Sequence, residues 1–288
     1  MIHVQRGQEP KALNLNNIKS TGYKELERAK KHFLTNNQDF KFRAYKATGV
    51  KDELINMFKG KCCYCETDIT SAAHGDIEHF RPKGAIEINE KNLSYPGYYW
   101  LAMDWNNLLL SCRICNADYK GNKFPLVNER KRIKGPLDKN EEEVLLLNPC
   151  EDNPDDHLIF TNLGHVIIKD ASRKGRKSIE TYGLYRAPLT KARATVAKEI
   201  ELKMTHIYNG LKTLPYLFPL QDQPDVKKQI EENIQEILMS YKFIMDSINN
   251  PDKPYRAMAR QITLDFLSVY EASLNDLKER YNREYVSS

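Results

Sequence analysis

No apolar run in the chain approaches the roughly 20 residues that a membrane-crossing helix needs, so no transmembrane segment is expected. The first residues, MIHVQRGQEPKALNLNN, are too polar for a secretory signal, and a cytoplasmic location is expected. The 288 residues contain no internal repeat and no low-complexity tract, which leaves ordinary packed domains. Charge of one sign is also in short supply: a net +5 permits a polyanionic partner without demanding one. With 41% hydrophobic and 29% charged residues, the chain can bury one large core or two smaller ones. Disulfides are disfavoured in a reducing compartment, so the six cysteines that are present point to metal instead.

Four of those cysteines form two Cys-x-x-Cys pairs, Cys62/Cys65 in KCCYCE and Cys112/Cys115 in LLLSCRICN. A two-residue gap lets both sulfurs of a turn face one ion, and two such turns complete the tetrahedral set that Zn²⁺ prefers. All four positions would be filled by protein, so this zinc is expected to be structural and to supply folding energy to a unit with little core. Cys63 adjoins Cys62 and is expected to be a bystander, and Cys150 a buried apolar thiol.

Between the pairs lies GDIEHFRPKG, Gly75 to Gly84. Hydrolysis of a phosphodiester needs a base to activate water and a cation to neutralise developing charge. His79, with an ordinary pKa near neutrality, suits the base. Glu78 is a hard oxygen ligand suited to Mg²⁺ or Mn²⁺, and Asp76 is a second candidate ligand. Strand alternation puts Asp76 and Glu78 on one face and His79 on the other, so a bend at His79 is required to bring the three together. His74 is a further, weaker candidate. A Glu-His pair alone is usually a surface dyad; its place inside the cysteine bracket makes it a candidate site.

The charge distribution says more than the total. From Arg113 to Lys134 the chain carries Arg113, Lys120, Lys123, Arg130, Lys131, Arg132 and Lys134 against Asp118 and Glu129, and SRKGRK follows at Ser172 to Lys177. Such local excess is what phosphate binding requires, although a solvated basic face has the same composition.

Residues 1–20 read as extended or loose. Periodicity predicts helices over Tyr23–Leu34 and Asp52–Phe58, a strand or hairpin within Asp68–Ile88, and a short helix or loop at Pro96–Ala102. A buried strand is predicted at Asn107–Ser111, with a helix opening after Cys112. After a connector from Gly135 to Glu143, two short strands are predicted at Leu158–Thr161 and His165–Lys169. Beyond Pro188 three apolar stripes at helical spacing run Leu189–Leu211, Val226–Ile248 and Met258–Leu277, broken near Pro215–Pro224 and at Asn250-Pro251. Tyr98, Tyr99, Trp100 and Trp105 are read as packing for the small core rather than as base-stacking rings.

DIEHFRP, Trp105-Asn106-Asn107-Leu108, Cys112-x-x-Cys115-Asn116 and Lys120 together resemble the HNH endonuclease motif of the ββα–metal superfamily. The resemblance implies a base at His79, a bracing role for Asn107 on the loop that carries the base, and a metal-ligand role for Asn116, where many members have His. The acidic residue before the first His is often Asp and here is Glu78, which leaves open whether Asp76 shares the ion. Lys120 and Lys123, with Arg81, would contact nucleic-acid phosphates; solvated side chains are the alternative. Over Lys61 to Tyr185, KCCYCE, DIEHFRPK, YYWLAMDWNNLLLSCRICN, KGNKFPL and LLLNPCEDNPDDHLIF resemble the retron-associated and Septu-type (PtuB-like) HNH proteins. That resemblance implies a nuclease in anti-phage defence, cutting DNA or possible RNA substrates such as tRNA, beside an ABC-type or SMC-like ATPase. The alternative is a zinc-stabilised nucleic-acid-binding or ATPase-docking protein whose HNH site has decayed.

The expected fold class is α+β, mostly helical, with a zinc-clamped ββα–metal core and an appended helical C-terminal domain. The expected divisions are an N-terminal helical segment (1–60), the core (61–135), a mixed α/β extension (136–187) and a helical domain (188–288) for a partner or for regulation.

Overall fold

The computed structural model describes residues 1–36, 40–69, 75–88 and 92–283. The chain is α+β and mostly helical. Six helices are assigned among the described residues: α1 (Thr21–Thr35), α2 (Val50–Phe58), α3 (Arg173–Thr181), α4 (Ala187–Leu217), α5 (Pro224–Asn249) and α6 (Arg256–Tyr281). The strands are β1 (Asp76–His79), β2 (Ile86–Ile88), β3 (Asn92–Ser94), β4 (Leu108–Ser111), β5 (Leu158–Phe160) and β6 (Val166–Ile168), joined in three two-stranded sheets. Two compact units result, one of Met1–Ile159 with Val166–Arg186, the other of Phe160–His165 with Ala187–Ser288.

In the first unit, α1 begins at Ser20, whose hydroxyl accepts from the Tyr23 N–H and satisfies one of the orphan donors of the first turn. α2 buries Val50, Leu54 and Phe58, then stops at Lys59 and Gly60, both at positive φ, which turns the chain into the first cysteine pair. β1 and β4 pair antiparallel with Asp76 opposite Ser111, Glu78 opposite Leu109 and His79 opposite Leu108. β4 is buried along its whole length, and the Cys63 N–H donates to Leu110 O at 2.8 Å, seating the cysteine turn on that strand. After β4 the chain enters a π-helical segment, Ile114–Lys120, so strand, excursion, strand and helical segment follow in the expected order.

Residues 1–20 are not loose. Met1 and Leu13 are buried, Val4 N–H donates to Pro149 O, and the Arg6 guanidinium donates to the carbonyls of Trp105, Asn106 and Leu108. Arg6 thereby satisfies backbone acceptors at the entry to β4. A polar segment of this kind has no periodicity for sequence reasoning to detect. α3 was also not expected: its buried positions are Gly175, Ser178 and Thr181, which form no apolar stripe.

In the second unit α4, α5 and α6 meet along the three stripes. Ile200, Ile207 and Leu214 pack with Ile230, Ile234, Ile237, Tyr241, Ile244 and Ile248, and with Ala259, Leu274 and Leu277. On α4 and α5 the spacing of three, four or seven residues keeps each set on one helical face. Gly210 lets α4 approach α5 closely: a Cβ there would lie 2.6 Å from Ile237 Cγ1. No helix among the described residues is long and apolar enough to cross a membrane.

Candidate active site

The Sγ atoms of Cys62, Cys65, Cys112 and Cys115 all lie within 4.8 Å of one another, and Cys65 and Cys112 are 3.9 Å apart. A tetrahedral ion with metal–sulfur bonds of about 2.3 Å holds its sulfurs roughly 3.8 Å apart, so the donor set is of the right size and chemistry for zinc. Its surroundings supply donors to sulfur. The Arg186 guanidinium is 3.4 Å from Cys115 Sγ and the Cys115 N–H 3.4 Å from Cys112 Sγ, while Cys65 Sγ donates to the Thr67 hydroxyl oxygen at 3.2 Å. An arginine beside four thiolates offsets the negative charge they would bring to one ion. Cys63 is buried outside the cluster. Cys150 is also outside it and only half-buried, which corrects the expectation of a fully buried thiol.

Asp76, Glu78, His79 and Asn116 line one cleft of about 570 Å³, together with Tyr45 and Lys83. Alternation would turn His79 away from the acidic pair, but β1 ends at His79 and the chain bends at Phe80 and Arg81. Asn107 holds that bend. Its Oδ1 accepts from the Arg81 N–H at 2.7 Å, and its Nδ2 donates to Arg81 O at 3.0 Å and Leu101 O at 3.1 Å. The Phe80 N–H in turn donates to Asn107 O. One buried amide thus pins both polar backbone groups of Arg81, two residues beyond the histidine.

The protonation of His79 follows from its contacts. Nε2 lies 2.9 Å from Ala102 O, which can only accept, so Nε2 carries the hydrogen. Burial, with the positive charge of Lys83, holds the imidazole well below its ordinary pKa. The ring is therefore neutral near pH 7 with its lone pair on Nδ1, and Lys83 Nζ lies 3.3 Å from that atom. Burial lowers the Lys83 ammonium to about 8. The Tyr45 ring packs edge-on against His79, centroids 4.6 Å apart, fixing the imidazole plane from the opposite element.

Glu78 is 4% exposed, and Lys120 Nζ lies 2.5 Å from its Oε1. Burial raises the Glu78 carboxyl, and the Lys120 ammonium opposes that shift. Lys120 is wholly buried and also donates to His79 O at 3.0 Å. Its position corrects the expectation of a phosphate contact, because the ammonium neutralises Glu78 inside the protein. Arg81 and Lys123 are likewise engaged internally. Arg81 pairs with Glu142 at 3.1 Å over the Phe124 ring, and Lys123 donates to Tyr119 O at 2.8 Å. Arg132, within the basic run, is buried against Glu129, Tyr98 and Phe124 O. Arg113, Arg130, Lys131 and Lys134 remain exposed. Tyr98 and Trp105 are buried, whereas Tyr99 and Trp100 are half-buried. His74 lies outside the described residues.

Sequence reasoning missed Tyr45, Lys46, Lys83 and Lys41 as cleft residues. Lys83 was visible in the motif string itself, four residues after His79, but the others come from a loop segment with no chemical signature.

No protein-family model matches the chain. A Septu protein PtuB of Bacillus mycoides (strain KBAB4) is 51% identical over 285 residues, which cover 99% of this chain and 97% of that protein. The chain belongs to the Septu PtuB family. A more distant PtuB, from Bacillus thuringiensis, is 27% identical over 185 residues, covering 64% of the chain and 54% of that relative. The family likeness extends into a differently named protein. A Septu protein PtuA of the same Bacillus mycoides strain is 31% identical over 182 residues, 62% of this chain but only 23% of PtuA.

Proposed function

We propose that the chain is a metal-dependent HNH endonuclease that hydrolyses nucleic-acid phosphodiesters, DNA foremost and RNA including tRNA as the other substrate class. We place its action in anti-phage defence beside a PtuA-type ATPase. The observation that carries the chemistry is His79, neutral, with Nε2–H tied to Ala102 O and its Nδ1 lone pair turned to Lys83 in the cleft. That tautomer is the one a general base needs.

In this reading Nδ1 takes the proton from the attacking water, and Ala102 O stabilises the imidazolium that results. Lys83 must first turn from Nδ1 to a phosphate oxygen, so substrate entry and release of the base are coupled. Asn107 keeps the histidine at its post through Arg81, and Tyr45 limits rotation of the ring. Glu78, Asn116 and Asp76 are the oxygen donors that would hold Mg²⁺ or Mn²⁺, which would neutralise charge on the phosphate and leaving oxygen. Lys120 pairs with Glu78 Oε1, so an ion at this carboxylate would compete with that ammonium. The four-cysteine cluster would hold structural zinc with no open position for chemistry.

The partner assignment rests on the relatives' names and on the stretch of PtuA that resembles this chain. A second reading is favoured by one contact, the buried Glu78–Lys120 pair, in which an ammonium could replace the catalytic ion altogether. The chain would then be a zinc-stabilised nucleic-acid-binding or ATPase-docking protein. Incubating it with plasmid DNA and total tRNA in Mg²⁺ or Mn²⁺, with and without the PtuA-type partner, separates the two. Metal-dependent cleavage supports the nuclease, and binding without turnover on every substrate supports the alternative.

A further inference from the structure

The candidate cleft does not end at the motif residues. A second cavity of about 620 Å³ adjoins it, and Phe40, Lys41 and Lys46 line both. Arg28 and Arg43 line the second cavity, so basic side chains run from α1 through Arg43–Lys46 to Lys83 beside His79. All but Lys83 lie outside the span that resembles HNH proteins.

This positive strip is built, not incidental. The buried Glu25 carboxylate accepts from the backbone N–H groups of Arg43 and Ala44 at 2.7 and 2.8 Å, which fixes the 3₁₀ turn Ala44–Lys46 against α1. Glu25 is spent on those bonds and on Arg28. Among the described residues no carboxylate pairs with Lys41, Arg43 or Lys46. Tyr45, in the same turn, joins the strip to the base: its edge meets His79, and the ammoniums of Lys46 and Lys83 lie 5.4 and 4.7 Å from its ring centre. Several unneutralised cations along one groove, leading to a base that needs a phosphodiester, supply the local positive charge that a nucleic-acid backbone attracts.

We propose that the groove along α1 and Arg43–Lys46 binds the phosphates of the nucleic-acid strand that flanks the scissile bond. The proposal rests on the nuclease reading of the cleft, and its test is chosen to be independent of turnover. Full-length Lys41→Ala/Arg43→Ala protein is compared with wild type by fluorescence anisotropy, with no divalent ion added. The probes are end-labelled single-stranded DNA, duplex DNA and RNA at several salt concentrations. Each lost phosphate contact removes about 0.7 from the slope of log K against log salt for single strands and about 0.9 for duplex DNA. The double variant is therefore expected to flatten the slope by about 1.4 on single strands, and Arg43→Lys to keep most of it. Whichever probe shows the larger change identifies the strand type that the groove prefers. Zinc content and melting temperature show whether the variant is folded. If it misfolds, the single Arg43→Gln replaces it, which removes the charge and keeps the backbone N–H that Glu25 holds.

Unchanged affinity and slope on every probe, in folded protein, would overturn the groove even if the enzyme cuts. A flattened slope with no cleavage by wild type would support the groove and overturn the nuclease reading.

Discussion

Replacing Asn107 with alanine removes a side chain that is 5% exposed and makes three hydrogen bonds, two to Arg81 and one to Leu101. Each such bond contributes about 1 kcal/mol net, and the stranded N–H and carbonyl groups are half-buried, so a loss of about 3 kcal/mol is expected. In a unit of this size each kcal/mol moves the melting temperature by about 2–4 °C, which gives a fall of about 6–12 °C. The same change frees the bend after His79, so cleavage should fall by more than the unfolded fraction explains. Asn107→Asp should be worse, because it keeps the acceptor for Arg81 N–H but turns a carboxylate toward two carbonyls. Differential scanning calorimetry, zinc content and initial cleavage rates below the transition measure the three effects separately. A folded, zinc-loaded Asn107→Ala protein with wild-type melting and wild-type cleavage would refute the bracing role.

Lys120→Met should leave Glu78 as an uncompensated buried carboxylate and cost about 3–5 kcal/mol, whereas Lys120→Met/Glu78→Gln should recover much of that stability without activity. Since Lys120 is buried, the change should appear in chemical denaturation and leave the salt dependence of nucleic-acid binding unchanged. Cys65→Ser should lose the bound zinc and lower the melting temperature, and Cys63→Ala should keep full zinc by elemental analysis. His79 also dictates a pH response. Its folded pKa is depressed below the unfolded value near 6.5, so the unfolded state binds the extra proton first. Its contribution to stability is present above about pH 6.5 and is lost as pH falls toward the folded value. Cleavage should rise as pH falls from above 8 and Lys83 gains its charge, then hold level to about pH 6.5, and His79→Gln should flatten the stability profile below pH 6.5 in denaturant titrations.

The helical stripes of α4 to α6 were legible because one apolar face repeats every three or four residues, and both cysteine pairs were legible because a metal site imposes spacing. Asp76, Glu78 and His79 could be singled out by residue type and Asn116 through the HNH resemblance, and the structure gathers the four in one cleft. The fate of the lysines and arginines was not legible. Lys120, Lys123 and Arg81 look like phosphate contacts in a string, but their partners are Glu78, Tyr119 and Glu142, up to sixty-one residues away. Conversely, Lys41, Arg43 and Lys46 lie in a segment without periodicity, and only the fold brings Lys41 and Lys46 to the cleft and Arg43 to the cavity beside it. Arg6 was opaque for the same reason, since its acceptors are backbone carbonyls that any sequence provides.

The central claim is that His79 is the base of a metal-dependent phosphodiesterase while zinc serves the fold alone. Its most direct test compares wild-type and His79→Ala protein on supercoiled plasmid and on tRNA in Mg²⁺ or Mn²⁺, with zinc content and melting temperature measured on both. The expected result is loss of cleavage in the variant with zinc unchanged. Equal cleavage by the two proteins would contradict it.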